Sequence, residues 1–449
     1  MSSASYRTTP VATSGMPPAI PFIIGNEAAE RFSYYGMNSI LVPFMISNAL
    51  LDAQGRPSPM TPEEAKTNYH MFVTAAYFLP IVGAILSDAI WGKYRTIMAL
   101  SIVYCFGHFA LSLDETRLGL CVGLGLIAIG AGGIKPCVSA NVGDQFGDKN
   151  QHLLPKVFGW FYFSINFGSA VSTIMIPYLL DRFGPRVAFG TPGVLMLLAT
   201  VVFWMGRRAM VHVPPARERF WADLTGTEGR RALMNLLVLV PFVAMFWAIW
   251  QQNFSSWVVQ ADKMDRVIFG REVLSAQIQT ANPVFILIMI PLFSYVIYPA
   301  LNRVFPLTPL RKIGLGLFLT VVAFLIPAWI ESRIVAGERP TIWWQILAFV
   351  ILTMGEIMVS ITHLEFSYTQ APPSLKSVAL SIYLLSISLG NAFTAGVNWF
   401  IQNPDKTTKL QGPDYFLFFA GAMLVTAILY VFAAKKYRGK SYVQPASAH

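Results

Sequence analysis

The chain has 449 residues, of which 55% are hydrophobic and 12% are charged, and its formal net charge is +10. A soluble domain has about 45–50% apolar and about 25% charged residues, so this composition excludes an ordinary soluble protein and indicates one that spans a membrane. The basic residues are spread over loops that border apolar segments, which disfavours a nucleic-acid-binding surface.

Twelve apolar segments are long enough for membrane-spanning helices, which need about 20 residues each. They lie near 22–47, 69–90, 96–113, 118–140, 157–180, 187–206, 233–257, 276–299, 313–330, 341–370, 377–401 and 415–434. With both termini inside, the cytoplasmic loops and tails hold most of the Lys and Arg outside the spans, so the positive-inside rule predicts two cytoplasmic termini. The first 20 residues lack the apolar core of a signal peptide, and we expect insertion to depend on the first span.

One break is longer than the others and divides the spans into six plus six. It contains six arginines and paired prolines. We therefore predict an all-α integral membrane protein with a cytoplasmic tail (1–20), a six-helix bundle (21–206), a cytoplasmic linker (207–231), a second six-helix bundle (232–434) and a cytoplasmic tail (435–449). Transporters built from two such halves bind their substrate near the bilayer midplane.

The first span begins with charged residues, in the stretch "GNEAAERFSYYG" at 25–36. Steps of three, four and seven place the polar side chains on one helical face: Glu27, Glu30, Arg31, Tyr34 and Tyr35. Glu27 precedes Arg31 by four, the favoured order for a helical ion pair. A charge costs ~2.5–3.5 kcal/mol at the centre of a span, so partnered, water-facing positions are expected. The alternative is an interfacial anchor whose charges reach the lipid headgroups.

A lysine lies in the fourth span, in "GAGGIKPCVSANVGDQF". The small residues before Lys135 allow another helix to approach closely, which leaves the ammonium in a cavity where an anion is its natural partner. The alternative is a lysine that caps the end of the span.

Several motifs together resemble one family. The "ExxERFSYYG" pattern resembles the signature of the proton-dependent oligopeptide transporter family, within the major facilitator superfamily. Further stretches resemble the same family in order along nearly the whole chain: "GAILSDAIWGKYR" (83–95), "GGIKP", "FYFSINFGS" (161–169), "FWAIWQQNFSSW" (246–257), "ANPVFIL" (281–287) and "GEIMVSITHLEFSYTQAP" (355–372). The resemblance implies the major facilitator fold, with twelve transmembrane helices in two six-helix bundles.

Subgroup features point in two directions. "YHMFVTAAYFLPIVGAILSD" (69–88) and "LEFSYTQAP" resemble the animal peptide transporters. However, "ESRIVAGERP" leaves no room for the extracellular domain of animal members, and the linker leaves none for the two extra helices of many bacterial ones. We therefore predict a compact bacterial member in the cell inner membrane.

The resemblance implies a proton-coupled symporter that imports di- and tripeptides by alternating access. Protons are the co-transported ion, no cofactor or metal is implied, and we expect a monomer in the lipid bilayer. A zwitterionic peptide needs a cationic clamp for its carboxylate, which Arg31 and Lys135 beside Tyr34 supply. The resemblance assigns the peptide amine to Glu356, Asn166 and Asn282.

Other residues receive roles in specificity, coupling and gating. Four aromatic residues are candidates for a side-chain pocket, although each is as readily a packing residue or interface anchor: Tyr35, Tyr77, Trp247 and Tyr383. His70 precedes Tyr77 by seven residues, the spacing of a histidine in the animal transporters, and with Glu27 and Glu30 it is the candidate proton carrier. The alternative is a histidine that caps the outer start of span two. The resemblance to the superfamily's loop between spans two and three assigns gating to Asp88, Lys93 and Arg95.

Two positions depart from the family pattern, and other functions remain open. The family usually has an arginine where this chain has Asn38 and an acidic residue where it has Gln251, so coupling through that pair is in doubt.

The main alternative function is transport of another cargo by the same fold, such as nitrate, a drug-like molecule or another anion. An intramembrane enzyme is remote, because His70, His108 and His363 are scattered and no HxxxH or CxxC spacing occurs. A channel would need a repeated filter.

Overall fold

The computed structural model describes residues 6–370, 375–405 and 407–437, and most of them are helical. The chain forms two compact units, one of Met1–Ala65 with Ala75–Arg219 and one of Lys66–Thr74 with Phe220–His449. The division falls inside the predicted linker 207–231. Most of the predicted tail 435–449 lies outside the described residues.

The first unit contains six helices of different lengths. They are α1 (Ile20–Ile46), α2 (Pro62–Phe78), α3 (Pro80–Ile85), α4 (Lys93–Leu113), α5 (Arg117–Gly143) and α6 (Leu154–Met205). Helix α1 packs on α6, and α4 packs on both α5 and α6. A short helix, α7 (Glu218–Thr225), lies at the division between the units. The middle of α2, residues 66–74, belongs to the second unit.

The second unit contains the remaining helices and a β-hairpin whose two strands have two residues each. Its helices are α8 (Thr227–Leu237), α9 (Val240–Trp250), α10 (Ser256–Ala261), α11 (Ala281–Leu292), α12 (Tyr298–Val304), α13 (Pro309–Val335), α14 (Trp343–Glu356), α15 (Thr362–Thr369), α16 (Lys376–Ile401) and α17 (Pro413–Lys436). Strands β1 (Val267–Ile268) and β2 (Arg271–Glu272) are antiparallel, with Val267 opposite Glu272. Helix α9 packs on α16, and α13 packs on α14 and α17.

Fewer helices meet the length and hydropathy expected of a membrane span than the twelve that the sequence predicts. Within the described residues, nine helices are long and apolar enough to cross a membrane, or ten if a bent pair around Leu237–Val240 counts as one span. Helix α1 is not among them because its buried charges lower its hydropathy. The count of twelve therefore stays a prediction.

One of these nine helices is itself broken. Helix α6 runs for 52 residues, and Gly184 within it has φ 78° and ψ −180°, which is not helical. Glycine adopts this backbone readily because it has no Cβ, and Pro185 follows directly. The segments on either side of Gly184 correspond to the predicted spans five and six, joined without an intervening loop.

Irregular turns interrupt the helices next to two polar residues of the second unit. A 3₁₀ turn, Gln251–Phe254, follows Trp250 at the end of α9. A π-helical turn, Ile357–Ile361, follows Glu356 at the end of α14 and leads into α15. Such turns are frequent at functional sites because they redirect side chains and free backbone groups.

Candidate functional site

A cluster of four charges lies in the core of the first unit. The Arg31 Nε atom is 2.9 Å from Glu27 Oε1 and 2.6 Å from Glu30 Oε2. Lys135 on α5 brings its Nζ atom to 3.6 Å from Glu30 Oε1. The spacing of four between Glu27 and Arg31 thus produces the predicted ion pair, and Glu30 is shared between the two cations.

This cluster is buried. Glu30 is fully buried, and Glu27 and Arg31 are only 4% and 8% exposed. An interfacial anchor would keep its charges in the headgroup region, so the burial contradicts that alternative for the stripe on α1.

The cluster is also balanced in charge. Glu30 contacts both cations, so two carboxylates face Arg31 and Lys135. An incoming anion must therefore compete with a glutamate for its cation.

Aromatic rings surround the lysine. The Lys135 Nζ atom lies 3.8 Å from the ring centroid of Tyr34 and 5.1 Å from that of Tyr77. Tyr34 packs edge-on against Tyr35 and Tyr77. At 3.6 Å, Glu30 is too distant for a hydrogen bond, and within the described part of the chain the ammonium has no hydrogen-bond acceptor. The predicted residues Tyr34, Tyr35 and Tyr77 are thus brought together beside the Lys135 ammonium.

Glycines of α5 let neighbouring backbones approach the lysine, as the small-residue pattern predicted. A Cβ at Gly130 would lie 2.7 Å from the Tyr104 nitrogen, and one at Gly132 would lie 2.9 Å from the Ala76 oxygen. Lys135 is part of the buried interior of the first unit rather than a cap at a helix end, because α5 continues to Gly143.

The second unit holds a carboxylate without a cation. Glu356 Oε2 accepts hydrogen bonds from Trp250 Nε1 at 2.8 Å and from Asn282 Nδ2 at 2.6 Å. Asn282 also contacts Thr353 Oγ1, at 3.2 Å. Among residues 6–370, 375–405 and 407–437, no Lys, Arg or His lies within ion-pair distance of Glu356. The pairing of Glu356 with Asn282 brings together two of the three residues assigned to the peptide amine.

Sequence reasoning missed Trp250, which donates to Glu356, and Thr353, whose hydroxyl oxygen accepts from Asn282. Trp250 follows the selected Trp247 by three residues in "FWAIWQQNF", and their ring centroids are 5.3 Å apart. Thr353 precedes Glu356 by three, so the helical period was the available signal. Asn166 belongs to the first unit, and its amide donates to Tyr162 O at 3.0 Å. Neither unit's own structure places Asn166 with Glu356.

Tyr383 and Trp247 differ in their contacts. The Tyr383 hydroxyl lies 2.9 Å from Ser360 Oγ, in the π-helical turn after Glu356. Trp247 is buried, and its ring nitrogen has no hydrogen-bond acceptor in the part of the chain that the structure describes. Trp247 therefore has a buried donor beside Trp250 that no described residue satisfies.

His70 is fully buried and belongs to the second unit. Its Nδ1 atom is 2.7 Å from Asn391 Oδ1, and its Nε2 atom is 3.0 Å from Ser255 Oγ. The burial contradicts a simple cap at the outer start of α2. Both ring partners are neutral side chains of the second unit, whereas the other two candidate proton carriers, Glu27 and Glu30, belong to the first.

The contacts of His70 suit both of its protonation states. Because Nδ1 faces a carbonyl oxygen, it carries a hydrogen, and Ser255 donates to Nε2 when the ring is neutral. When the ring is protonated, Nε2 donates to the Ser255 oxygen, and the serine hydrogen can turn to Gln252 O at 3.5 Å.

The predicted gating residues lie around the start of α4. Lys93 Nζ contacts Asp144 Oδ2 at 2.7 Å, and the Asp88 carboxylate accepts a hydrogen bond from Ser87 Oγ at 3.0 Å. Arg95 is exposed. Burial raises the pKa of Asp144, and the Lys93 ammonium opposes this rise. Asp144 was not selected from the sequence, although it ends the "SANVGD" stretch that follows Lys135.

The two residues that depart from the family pattern, Asn38 and Gln251, are both buried. Asn38 is 2% exposed in the first unit, and Gln251 is 4% exposed in the second. Gln251 Oε1 accepts a hydrogen bond from Tyr69 OH at 3.3 Å, so this position is held by neutral groups.

Long apolar helices with buried charges that contact one another, rather than lipid, define a polytopic membrane protein with an internal polar site. Comparison with known proteins identifies its family. The family model described as "POT family" matches residues 94–225 and 216–413, and the chain belongs to this family.

Individual relatives agree with this assignment. The chain is 35% identical over 367 residues to Peptide transporter 3 of Caenorhabditis elegans, covering 71% of this chain and 51% of that protein. It is 35% identical over 376 residues to Solute carrier family 15 member 2 of Homo sapiens, covering 72% of this chain and 50% of that protein. The chain thus spans about half the length of the curated relatives it matches.

Solved structures extend the similarity to the fold. The chain is similar to the in meso crystal structure of the POT family transporter PepTSo, with a TM-score of 0.86 and 34% identity over 94% of this chain and 99% of that one. The expected major facilitator fold of the family is thereby confirmed. The relatives are named as transporters, in contrast to the intramembrane enzyme that the sequence left as a remote alternative.

Proposed function

We propose that the protein is a proton-coupled symporter that imports di- and tripeptides by alternating access. The observation that carries the proposal is that each unit holds a buried charged site of its own. Arg31 and Lys135 lie in the first unit, and Glu356, a carboxylate with two hydrogen-bond donors and no cation within the described ranges, lies in the second. A peptide in its zwitterionic form offers the complementary pair of charges.

The carboxylate end of the peptide binds Arg31 and Lys135, with Tyr34 beside the ammonium. Arginine offers two parallel donors to a carboxylate, and lysine adds a point charge. Support comes from the Lys135 hydrogens, which have no hydrogen-bond acceptor within the described ranges. Tyr35, Tyr77, Trp247 and Tyr383 supply walls that tolerate varied peptide side chains.

The amine end binds Glu356, with Asn282 holding the carboxylate and Asn166 as a further polar contact. The Trp250 and Asn282 donors fix the Glu356 side chain but add no positive charge. An ammonium group therefore gives this carboxylate the charged partner that it lacks among the described residues.

Charge balance links peptide binding to protons. When a peptide carboxylate joins Glu27, Glu30, Arg31 and Lys135, three anions face two cations. Protonation of one glutamate restores neutrality, which makes binding of the carboxylate and of a proton mutually favourable in a buried site. We infer that Glu30, which is shared between both cations, exchanges its proton for its ion pairs as the peptide leaves. His70 is the further proton carrier, and Asp88, Lys93 and Arg95 close the cytoplasmic side.

The proposal also includes the cellular setting of the protein. We propose a monomer in the cell inner membrane of a bacterium, with both termini cytoplasmic and no cofactor. The excess of Lys and Arg in the loops on one side supports this orientation.

Uptake into proteoliposomes tests the proposed function. Dialanine, trialanine, free alanine and nitrate are compared with and without an inward proton gradient. We expect the gradient to drive accumulation of both peptides and of neither other solute. Accumulation of nitrate in preference to dialanine would contradict the proposal and would identify an inorganic anion, the main alternative cargo, as the substrate.

A further inference from the structure

A cavity of about 790 Å³ lies at one end of the second unit, outside the residues assigned to transport. Its walls come from the segment after α12, the first turns of α13 and the last turns of α17. Leu315, Phe318, Tyr430 and Val431 make the cavity apolar over most of its length. The volume is in the range of about 300–1,000 Å³ that is typical of small-molecule sites.

Two cations mark the end of this cavity. Arg311 lies in the first turn of α13 with its guanidinium 4.4 Å from the ring centroid of Phe305, and its Nη1 atom donates to Pro306 O at 2.7 Å. Lys435 lies in the last turn of α17 and lines the same cavity. No carboxylate of the described residues is within ion-pair distance of either side chain.

Further basic residues lie nearby in the sequence. Lys312 follows Arg311, Arg303 precedes it in the segment at the end of α12, and Lys436 follows Lys435. These three residues also have no ion pair among the residues that the structure describes. The first turn of α13 adds the positive end of a 27-residue helix. The end of the cavity is therefore positive, and its interior is apolar.

Another apolar cavity of the described residues lacks such an end. A cavity of about 550 Å³ in the first unit is lined by residues without charge, including Phe32, Met175 and Leu198. The combination of an apolar interior with cations at one end distinguishes the cavity of the second unit from this one.

We propose that this cavity binds an anionic phospholipid. An acyl chain lies against Leu315, Phe318 and Val431, and the phosphate lies between Arg311 and Lys435. The lipid belongs to the leaflet that borders the positively charged loops, where the C-terminal end of α17 lies. Anionic headgroups are attracted to clustered Lys and Arg at this depth.

Native mass spectrometry of the full-length protein in detergent tests this assignment. The protein is mixed with equal amounts of phosphatidylglycerol and phosphatidylcholine that carry the same acyl chains. We expect the wild type to retain phosphatidylglycerol preferentially. Each cation near an anionic surface changes affinity about fivefold, so the Arg311→Gln/Lys435→Gln variant should lose about 25-fold for phosphatidylglycerol and little for phosphatidylcholine.

A matched variant controls for loss of any exposed cation. Lys409 donates to Phe400 O at 2.8 Å and lies 4.2 Å from the Phe400 ring centroid, much as Arg311 lies over Phe305. Lys409→Gln should retain the wild-type preference. An equal loss in Lys409→Gln would overturn the proposal, because it would show a general effect of net charge.

A second variant tests the apolar part of the site. Ala434 lines the cavity, and Ala434→Trp fills it without removing a cation. We expect this variant to lose bound lipid of both kinds while eluting as a single species in size exclusion. Equal retention of the two lipids by the wild type, or displacement of phosphatidylglycerol by millimolar inorganic phosphate, would contradict a phospholipid site.

Discussion

Glu30 is the residue on which the charge cluster of the first unit depends. It contacts both Arg31 and Lys135, so loss of either cation leaves buried negative charge without its full complement. Removing one partner of a buried pair typically costs about 3–5 kcal/mol, whereas an exposed pair contributes little. Variants of the cluster therefore need a separate test of folding.

We predict that Arg31→Ala and Lys135→Ala each weaken binding of dialanine at least about tenfold, because each removes one of the two cations proposed to hold the peptide carboxylate. Binding is measured by titration calorimetry on purified protein that elutes as a single species. Arg56→Ala is the matched control, since Arg56 forms an exposed pair with Asp52 at the same spacing of four. Dialanine affinity equal to wild type in both cluster variants would rule out the clamp.

We predict that Glu356→Gln abolishes discrimination between dialanine and N-acetyl-dialanine. Acetylation removes the amine charge, and a neutral amide in place of the carboxylate has no charge with which to favour a cation over a neutral group. Uptake competition should therefore become equal for the two compounds. Glu331→Gln is the control, because Glu331 is a buried carboxylate of the same unit that already has Lys263 as its partner. Wild-type discrimination in Glu356→Gln would move amine recognition to another residue.

Local spacing made part of the site predictable. Glu27 and Arg31 are one turn apart on one helix, so their ion pair follows from the helical period alone. The contact of Glu30 with Lys135 depends on how α1 and α5 pack, which the period does not specify. The same holds for Trp250 and Glu356, which come from α9 and α14.

At the scale of elements, the glycines of α5 decide how closely α4 can approach. A Cβ at Gly130 would meet the backbone of Tyr104 and Leu100, whereas nothing lies within 4 Å of a Cβ at Gly125. Backbone atoms cannot move aside as a flexible side chain can, so the two glycines of one helix should respond differently to the same substitution.

We predict that Gly130→Ala lowers the thermal unfolding midpoint, while Gly125→Ala leaves it unchanged or raises it. Overpacking costs about 1–3 kcal/mol, and alanine is favoured over glycine in a helix by about 1 kcal/mol where space allows. The midpoint is followed by intrinsic fluorescence in one detergent at one heating rate. Equal midpoints for the two variants would show that α4 and α5 are not held by this contact.

Apolar runs predicted the long helices well, since each run of sufficient length became helical. They placed the end of span five and the start of span six on either side of Gly184, but they did not predict that the two helices join directly there or that a π-helical turn follows Glu356, because hydropathy does not report backbone torsions. Helix α1 shows the opposite case. Its motif identified a span that composition alone does not recognise, because buried charges lower the mean hydropathy.

At the scale of the whole molecule, one proton is enough to drive accumulation. A potential of 100 mV contributes ~2.3 kcal/mol and one pH unit ~1.36 kcal/mol. Together they correspond to several hundredfold accumulation of a neutral dipeptide. Gln251 cannot titrate, so the carriers are sought in Glu27, Glu30 and His70.

We predict that His70→Gln, and separately Glu30→Gln, lose proton-driven accumulation but keep exchange of labelled for unlabelled peptide. Exchange needs only a binding site that opens alternately to the two sides of the membrane. Accumulation also needs a group that carries the proton. Both are measured in proteoliposomes at equal protein density. His152→Gln, at an exposed histidine, should behave as wild type.

Full accumulation by His70→Gln would assign coupling to the glutamates alone. The neutral ring partners of His70, Asn391 and Ser255, make this a sharp test, because neither of them can take over its proton.

The shared position of Glu30 also bears on biosynthesis. Helix α1 enters the bilayer with Glu27, Glu30 and Arg31, which leaves it one negative charge in excess. The compensating Lys135 emerges only after roughly a hundred further residues, and at about 5–20 residues per second this takes several seconds. During that interval α1 lacks the partner that the finished protein gives it. We expect the nascent helix to stay beside the insertion machinery until α5 arrives, so that the ion pair which serves the finished carrier also sets the order of its assembly.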